Sequence, residues 1–179
     1  LGGSPAVWNA CMLFFQAALL GGYAYAHALT SRLKPAWQAA VHAAVLAAPL
    51  VVLPLAIPAA SEPPPEGSPV AWLLGALAIS VGLPFFALST TGPLLQRWFS
   101  RTSHPKAHDP YFLYAASNAG SLSALVAYPL VVEPALRLQS GPGITQTRLF
   151  SAGYVVYAVL AAACGVLAWR RQDPSIQVR

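Results

Sequence analysis

Residues 67–96 read GSPVAWLLGALAISVGLPFFALSTTGPLLQ. These thirty consecutive residues contain no Asp, Glu, Lys or Arg. A helix needs about 20 apolar residues to cross a hydrocarbon core of roughly 30 Å, so this stretch is long enough to span a membrane. Ser68 suits a helix cap and Pro69 a first helical turn. Pro84 predicts a kink. The run Ser89-Thr90-Thr91-Gly92-Pro93 predicts a break, which sets the span at residues 68–89. Beyond it, residues 94–100 read as a short interfacial helix carrying Arg97, Trp98 and Phe99.

Four more windows lack these charges: 1–31, 35–61, 110–132 and 149–169. The predicted spans are therefore 5–29, 37–57, 68–89, 110–132 and 148–169. The chain has 179 residues, 56% of them hydrophobic and 8% charged. Soluble domains average about 25% charged residues. The predicted fold class is all-α: a polytopic transmembrane helical bundle of about five spans, some kinked or broken. The composition excludes a soluble enzyme, a disordered tail and a nucleic-acid-binding module; no nucleic-acid partner is expected.

The placement of charge gives an orientation. If every window spans, eight of the ten basic residues fall on one side. They are Arg32, Lys34, Arg97, Arg101, Lys106, Arg170, Arg171 and Arg179. By the positive-inside pattern that side is cytoplasmic. The chain start then lies outside and the chain end inside. A missing upstream helix is expected, because Leu1 starts outside with no cleavable signal before it. The basic clusters can also touch anionic lipid head groups.

Prolines punctuate the other spans. Pro49, Pro54 and Pro58 predict a kinked or partly unwound outer half of the second span. Residues 59–69, with Pro63, Pro64 and Pro65, read as a stiff external loop. Asp109 is expected to cap the fourth span, with Pro110 in its first turn and a late break at Pro129. Gly141-Pro142-Gly143 marks a turn before the fifth. Trp8, Trp37, Trp72, Trp98 and Trp169 fall near predicted span ends and read as interfacial anchors.

Small residues recur at four-residue spacing, which lets helix backbones approach closely in lipid. The first span has Ala17, Gly21 and Tyr25 beside Ala18, Gly22 and Ala26. The fourth has Ala116, Gly120 and Ala124 beside Ser117 and Ser121. These rows are candidate packing faces, within the chain or toward another subunit. Polar candidates inside the spans are Gln16, His42, Ser80 and Asn118, to be satisfied across helix interfaces or along a substrate path. No Asp, Glu, Lys or Arg stands at mid-span, which argues against an ion-driven pump built from this chain alone.

Chemistry-bearing motifs are few. His27 and His42 flank the first connection and are the candidate ligands for a haem or pigment. His104 and His108 have i, i+4 spacing, but Pro105 between them favours a loop over a metal site. Cys11 and Cys164 sit inside spans as small buried residues, with no metal spacing or disulfide framework. No phosphate loop, dinucleotide fingerprint, zinc-protease motif or nucleophile elbow occurs. No catalytic residue, metal site or cofactor is predicted; lipids are the expected small-molecule contacts.

Several strings occur together: Leu1-Gly2-Gly3-Ser4-Pro5-Ala6-Val7-Trp8-Asn9, Cys11-Met12-Leu13-Phe14-Phe15-Gln16 and Gly22-Tyr23-Ala24-Tyr25-Ala26-His27. Thr91-Gly92-Pro93-Leu94-Leu95-Gln96-Arg97-Trp98-Phe99 and Asp109-Pro110-Tyr111-Phe112-Leu113-Tyr114-Ala115-Ala116-Ser117-Asn118 follow. With these strings the chain resembles the membrane-embedded N-terminal part of bacterial spermidine-synthase-like proteins, also described as fused major-facilitator/spermidine synthases. The resemblance implies a bacterial inner-membrane location and a hydrophobic helix upstream of the first string. The family's synthase-like domain has no counterpart within these residues, so aminopropyl transfer maps to none of them.

The leading expectation is a non-catalytic membrane module: a scaffold or accessory subunit of a larger assembly, or the membrane domain of a longer protein. Its partners would be lipids and other membrane subunits. The alternatives are a transporter-like small-molecule-binding half, the membrane part of a polyamine-class enzyme, and a pigment- or haem-binding subunit.

Overall fold

A computed structural model describes residues 4–55, 68–138 and 144–171. Among the described residues the protein is entirely helical. The helices are α1 (Pro5–Arg32), α2 (Pro35–Val51), α3 (Pro69–Phe99), α4 (Tyr111–Ala135) and α5 (Gln146–Arg170). Four of them are long and apolar enough to cross a membrane, and α2 is shorter. The chain is an all-α bundle with the make-up of a multi-pass membrane protein.

Most helices start where a side chain can replace a missing hydrogen bond. Ser4 Oγ accepts from the Val7 N–H at 3.5 Å, Ser68 Oγ from Ala71 N–H at 3.4 Å, and Thr145 Oγ1 from Arg148 N–H at 3.3 Å. Pro5, Pro35 and Pro69 each occupy a first helical turn, where a missing N–H does no harm. The start of α4 is shifted from expectation. Pro110 holds the cap position, and Asp109 Oδ1 accepts from Tyr111 N–H at 3.5 Å.

The prolines correct three sequence expectations. First, α3 does not break at residues 89–93; it runs through Pro93 to Phe99, so residues 94–100 are no separate interfacial helix. The hydroxyls of Ser89, Thr90 and Thr91 turn back onto carbonyls three or four residues upstream, at 2.8–2.9 Å, inside an unbroken helix. Second, α4 continues past Pro129 to Ala135. Third, α2 turns from α-helix to a 3₁₀ turn at Ala48–Val51 and stops there, short of the predicted residue 57. Pro49 inside that turn and Pro54 beyond it explain the early end. Pro58, the loop at residues 59–67 and the Gly141-Pro142-Gly143 turn lie outside the described residues.

Two π-turns accompany prolines in α3 and α4. They occupy Ala78–Gly82 and Tyr128–Val132. Each is centred four residues before a proline: Ser80 before Pro84, and Leu130 before Pro134. That is the residue whose carbonyl a proline ring strikes in a regular α-helix. Widening the turn there relieves the clash without ending the helix.

The core lies among four helices. α1 packs along α3, α2 packs on α5 and α3, and the second half of α3 packs on α5. Ala26 and Leu29 of α1 meet Leu94 and Trp98 of α3, with Val41 of α2 and Ala168 of α5 beside them. This cluster brings the ends of α1, α3 and α5 and the start of α2 to one end of the bundle. Arg32, Lys34, Arg97, Arg101, Arg170 and Arg171 therefore share that end. A second cluster joins Leu46, Ala87, Tyr154 and Ala161. Association of such helices in lipid depends on close packing and hydrogen bonds rather than on escape from water.

Candidate functional site

Three features stand out: a buried polar seam, a cavity at the basic end and an uncovered helix. The seam is built on α2. Gln38, His42 and Leu46 are buried at four-residue intervals along one face of it. The Gln38 amide is fully buried. Its Nε2 donates to the Leu33 carbonyl at 2.7 Å, and its Oε1 accepts from Trp98 Nε1–H at 2.9 Å. His42, 1% exposed, lies 3.1 Å through Nε2 from Thr91 Oγ1. The Thr91 hydroxyl donates its one proton to the Ala87 carbonyl at 2.9 Å. Its oxygen is then left to accept, which assigns the His42 proton to Nε2. The indole of Trp98 packs edge-on to the imidazole, 5.7 Å between centroids, and Tyr25 lies 6.1 Å away on another side.

Two buried atoms in this seam have no partner among the described residues: His42 Nδ1 and the Tyr25 hydroxyl. An unmade buried hydrogen bond costs about 1–3 kcal/mol. Two tyrosines of α5 are engaged. Tyr154 OH donates to the Leu46 carbonyl at 3.0 Å, and Tyr157 OH to the Leu88 carbonyl at 3.4 Å.

The sequence-predicted site residues separate in space. His42 is in the seam, while Gln16, His27 and Asn118 are exposed on the outer surface of the helices. His42 is buried with its Nε2 on Thr91, whereas His27 is exposed. Gln16, His42 and Asn118 line no common path. Ser80 is half-buried inside the π-turn of α3. Among the described residues no group of His, Cys, Asp or Glu is placed to hold a metal ion, His104 and His108 included.

Sequence reading missed Gln38, Thr90 and Thr91 as buried polar residues. Gln38 was detectable, because it precedes His42 by four residues in an otherwise apolar segment. Trp98 departs from the interfacial anchor that its place near a span end predicts. It is 3% exposed and belongs to the core, whereas Trp8 is 65% exposed and Trp37 64%. The cysteines also differ from expectation: Cys164 is exposed and Cys11 half-buried, both as free thiols.

The cavity has a volume of about 550 Å³. It opens between the last turn of α3, the turns that follow, the start of α4 and the last part of α5. Trp98 forms part of its wall, so the seam and the cavity share one side chain. Nearby, the Arg101 pKa is lowered by partial burial and then by the adjacent Arg97 guanidinium. Two like charges therefore stand side by side at this end.

The small-residue rows meet opposite fates. The Ala18/Gly22/Ala26 row of α1 is used inside the bundle. Gly22 lies against Ser89 of α3, whose hydroxyl reaches the Ala18 carbonyl at 3.3 Å. In the neighbouring row Ala17 is exposed and Gly21 half-buried. On α4 the row Ala116, Gly120 and Ala124 is open, and no atom lies within 4 Å of where a Gly120 Cβ would stand. No residue of α4 is buried. The helix touches the rest near its ends, where Phe112 stacks edge-on to Phe99 at 5.3 Å and Tyr128 OH donates to Gln146 Oε1 at 3.0 Å.

Comparison with known proteins gives no match to a family model, to a curated protein or to a solved structure.

Proposed function

We propose that the chain is a non-catalytic multi-pass membrane module that works through helix packing. It serves as a scaffold or accessory subunit of a larger membrane assembly, or as the membrane domain of a longer spermidine-synthase-like protein. The observation that supports this reading is α4. It is a 25-residue helix of transmembrane length and composition with no buried residue. Its exposed surface carries the small row Ala116, Gly120 and Ala124, along which the backbone of a neighbouring helix can approach closely in lipid. In this reading the basic end of the bundle faces the cytoplasm of a bacterial inner membrane, following the positive-inside pattern.

Site-specific photo-crosslinking in native membranes tests it. A photoreactive residue at Ala116 or Ala124 is expected to capture protein, while one at Leu160, exposed on α5, captures lipid. The substitution Gly120→Leu is expected to abolish the protein adducts. Lipid adducts alone at all three positions would overturn the proposal.

A further inference from the structure

The cavity at the basic end has two chemically distinct parts. Leu95, Trp98, Phe99, Leu113 and Leu167 supply an apolar wall. Ser103, His104 and Arg171 supply the polar rim. The rim offers donors. Arg171 carries a guanidinium with five N–H groups and no acceptor. His104 Nδ1 accepts from the Lys106 N–H at 3.2 Å, so the ring proton sits on Nε2. The neighbouring Thr102 hydroxyl is already committed to the Phe99 carbonyl at 2.8 Å. Among the described residues no Asp or Glu lines the cavity. Asp109, five residues after His104, accepts from Tyr111 N–H outside it, and Asp173, two residues after Arg171, lies outside the described residues. Arg97 and Arg101 add further positive charge at the same end of the bundle.

A space of about 550 Å³ lies within the 300–1,000 Å³ typical of ligand sites. An apolar wall calls for a hydrocarbon or aromatic body. A rim whose described side chains, Arg171, His104 and Ser103, supply donors calls for an anionic head. The site also stands where α3 and α5 end and α4 begins; in helices that cross a membrane, such ends meet the head-group region. We propose that this cavity binds an anionic phospholipid, its phosphate at Arg171, His104 and Ser103 and an acyl chain against Trp98, Phe99 and Leu167. This site differs from the open face of α4, and neither proposal depends on the other.

Native mass spectrometry of the full chain in neutral detergent tests it, with phosphatidylglycerol, phosphatidylcholine or inorganic phosphate added. Phosphatidylglycerol is expected to be retained in preference to phosphatidylcholine, and inorganic phosphate is expected not to displace it. Arg171→Gln, at an exposed position, should lower phosphatidylglycerol retention about fivefold, the factor carried by one basic residue at an anionic surface. Cys164→Trp should fill the cavity and remove the retention. Phosphatidylglycerol acyl chains brominated near the head group should quench tryptophan fluorescence in the wild type more than in Trp98→Phe. Equal retention of the two lipids, or no change with Arg171→Gln, would overturn the proposal. Displacement of the lipid by inorganic phosphate would reassign the site to a free anion and overturn the lipid assignment.

Discussion

Gly22 on α1 and Gly120 on α4 sit in the same kind of small-residue row, yet their surroundings are opposite. A Cβ on Gly22 would stand 2.5 Å from Ser89 Oγ and 3.0 Å from the Ser89 carbonyl carbon. A Cβ on Gly120 would meet nothing within 4 Å. A small-xxx-small row therefore says that a backbone can come close, not that one does. What separates the two helices is the partner. For α1 it is α3, in the same chain; for α4 no described helix covers the corresponding row.

That contrast predicts graded effects on the stability of the isolated chain, measured by thermal unfolding in detergent. Gly22→Leu forces a branched side chain into the α1–α3 contact and should destabilise by about 3 kcal/mol. A wild-type melting profile for this variant would mean that the close contact at Ser89 does not exist. Gln38→Ala removes both hydrogen bonds of the buried amide and leaves the Trp98 indole N–H and the Leu33 carbonyl without partners. The expected loss is about 2 kcal/mol, with a shifted tryptophan emission. Thr91→Val keeps the shape but removes the hydrogen bond to His42 Nε2; about 1 kcal/mol is expected, since interhelical hydrogen bonds in membranes are individually modest. Gly120→Ala should change stability by no more than about 0.5 kcal/mol, as at any uncovered position. A large loss there would show that α4 packs within the chain after all.

The spans were largely visible in the sequence because scarcity of charge is a property of the segment itself. α1 and α5 differ from their predicted limits by three residues or fewer at either end. Errors arose where a local rule met a non-local context. Ser89-Thr90-Thr91-Gly92-Pro93 has the composition of a loop, yet its hydroxyls bond back into α3 and its backbone rests on Gly22, 67 positions away in sequence. The α2 helix had the opposite problem: its residues are apolar enough to continue, but Pro49 and Pro54 end it.

The candidate sites were less legible. His42 stood out by type, but its partner Thr91 lies 49 positions along the chain, and no spacing rule connects them. Trp98 looked like an anchor because tryptophans near span ends usually are; only the Gln38 amide facing it explains why it is buried. The cavity draws on α3, α4, α5 and the turns after α3, so no single stretch of sequence announces it.

The π-turn at Ala78–Gly82 changes which mutations α3 can absorb. Relative to an α-helix it holds one surplus residue, and each helical residue advances the side chains by about 100°. Five residues of a π-turn cover about the same rotation as four of an α-helix, so the surplus residue is absorbed where it sits and the half carrying Trp72 keeps its alignment with the half carrying Thr91. Deleting one residue between 78 and 82 would let the turn relax to α geometry with Thr91 still facing His42. The same deletion in the regular helix on either side would swing one half by about 100° against the other. For this helix the π-turn is the place where a change of length is absorbed without misaligning the two ends of the bundle.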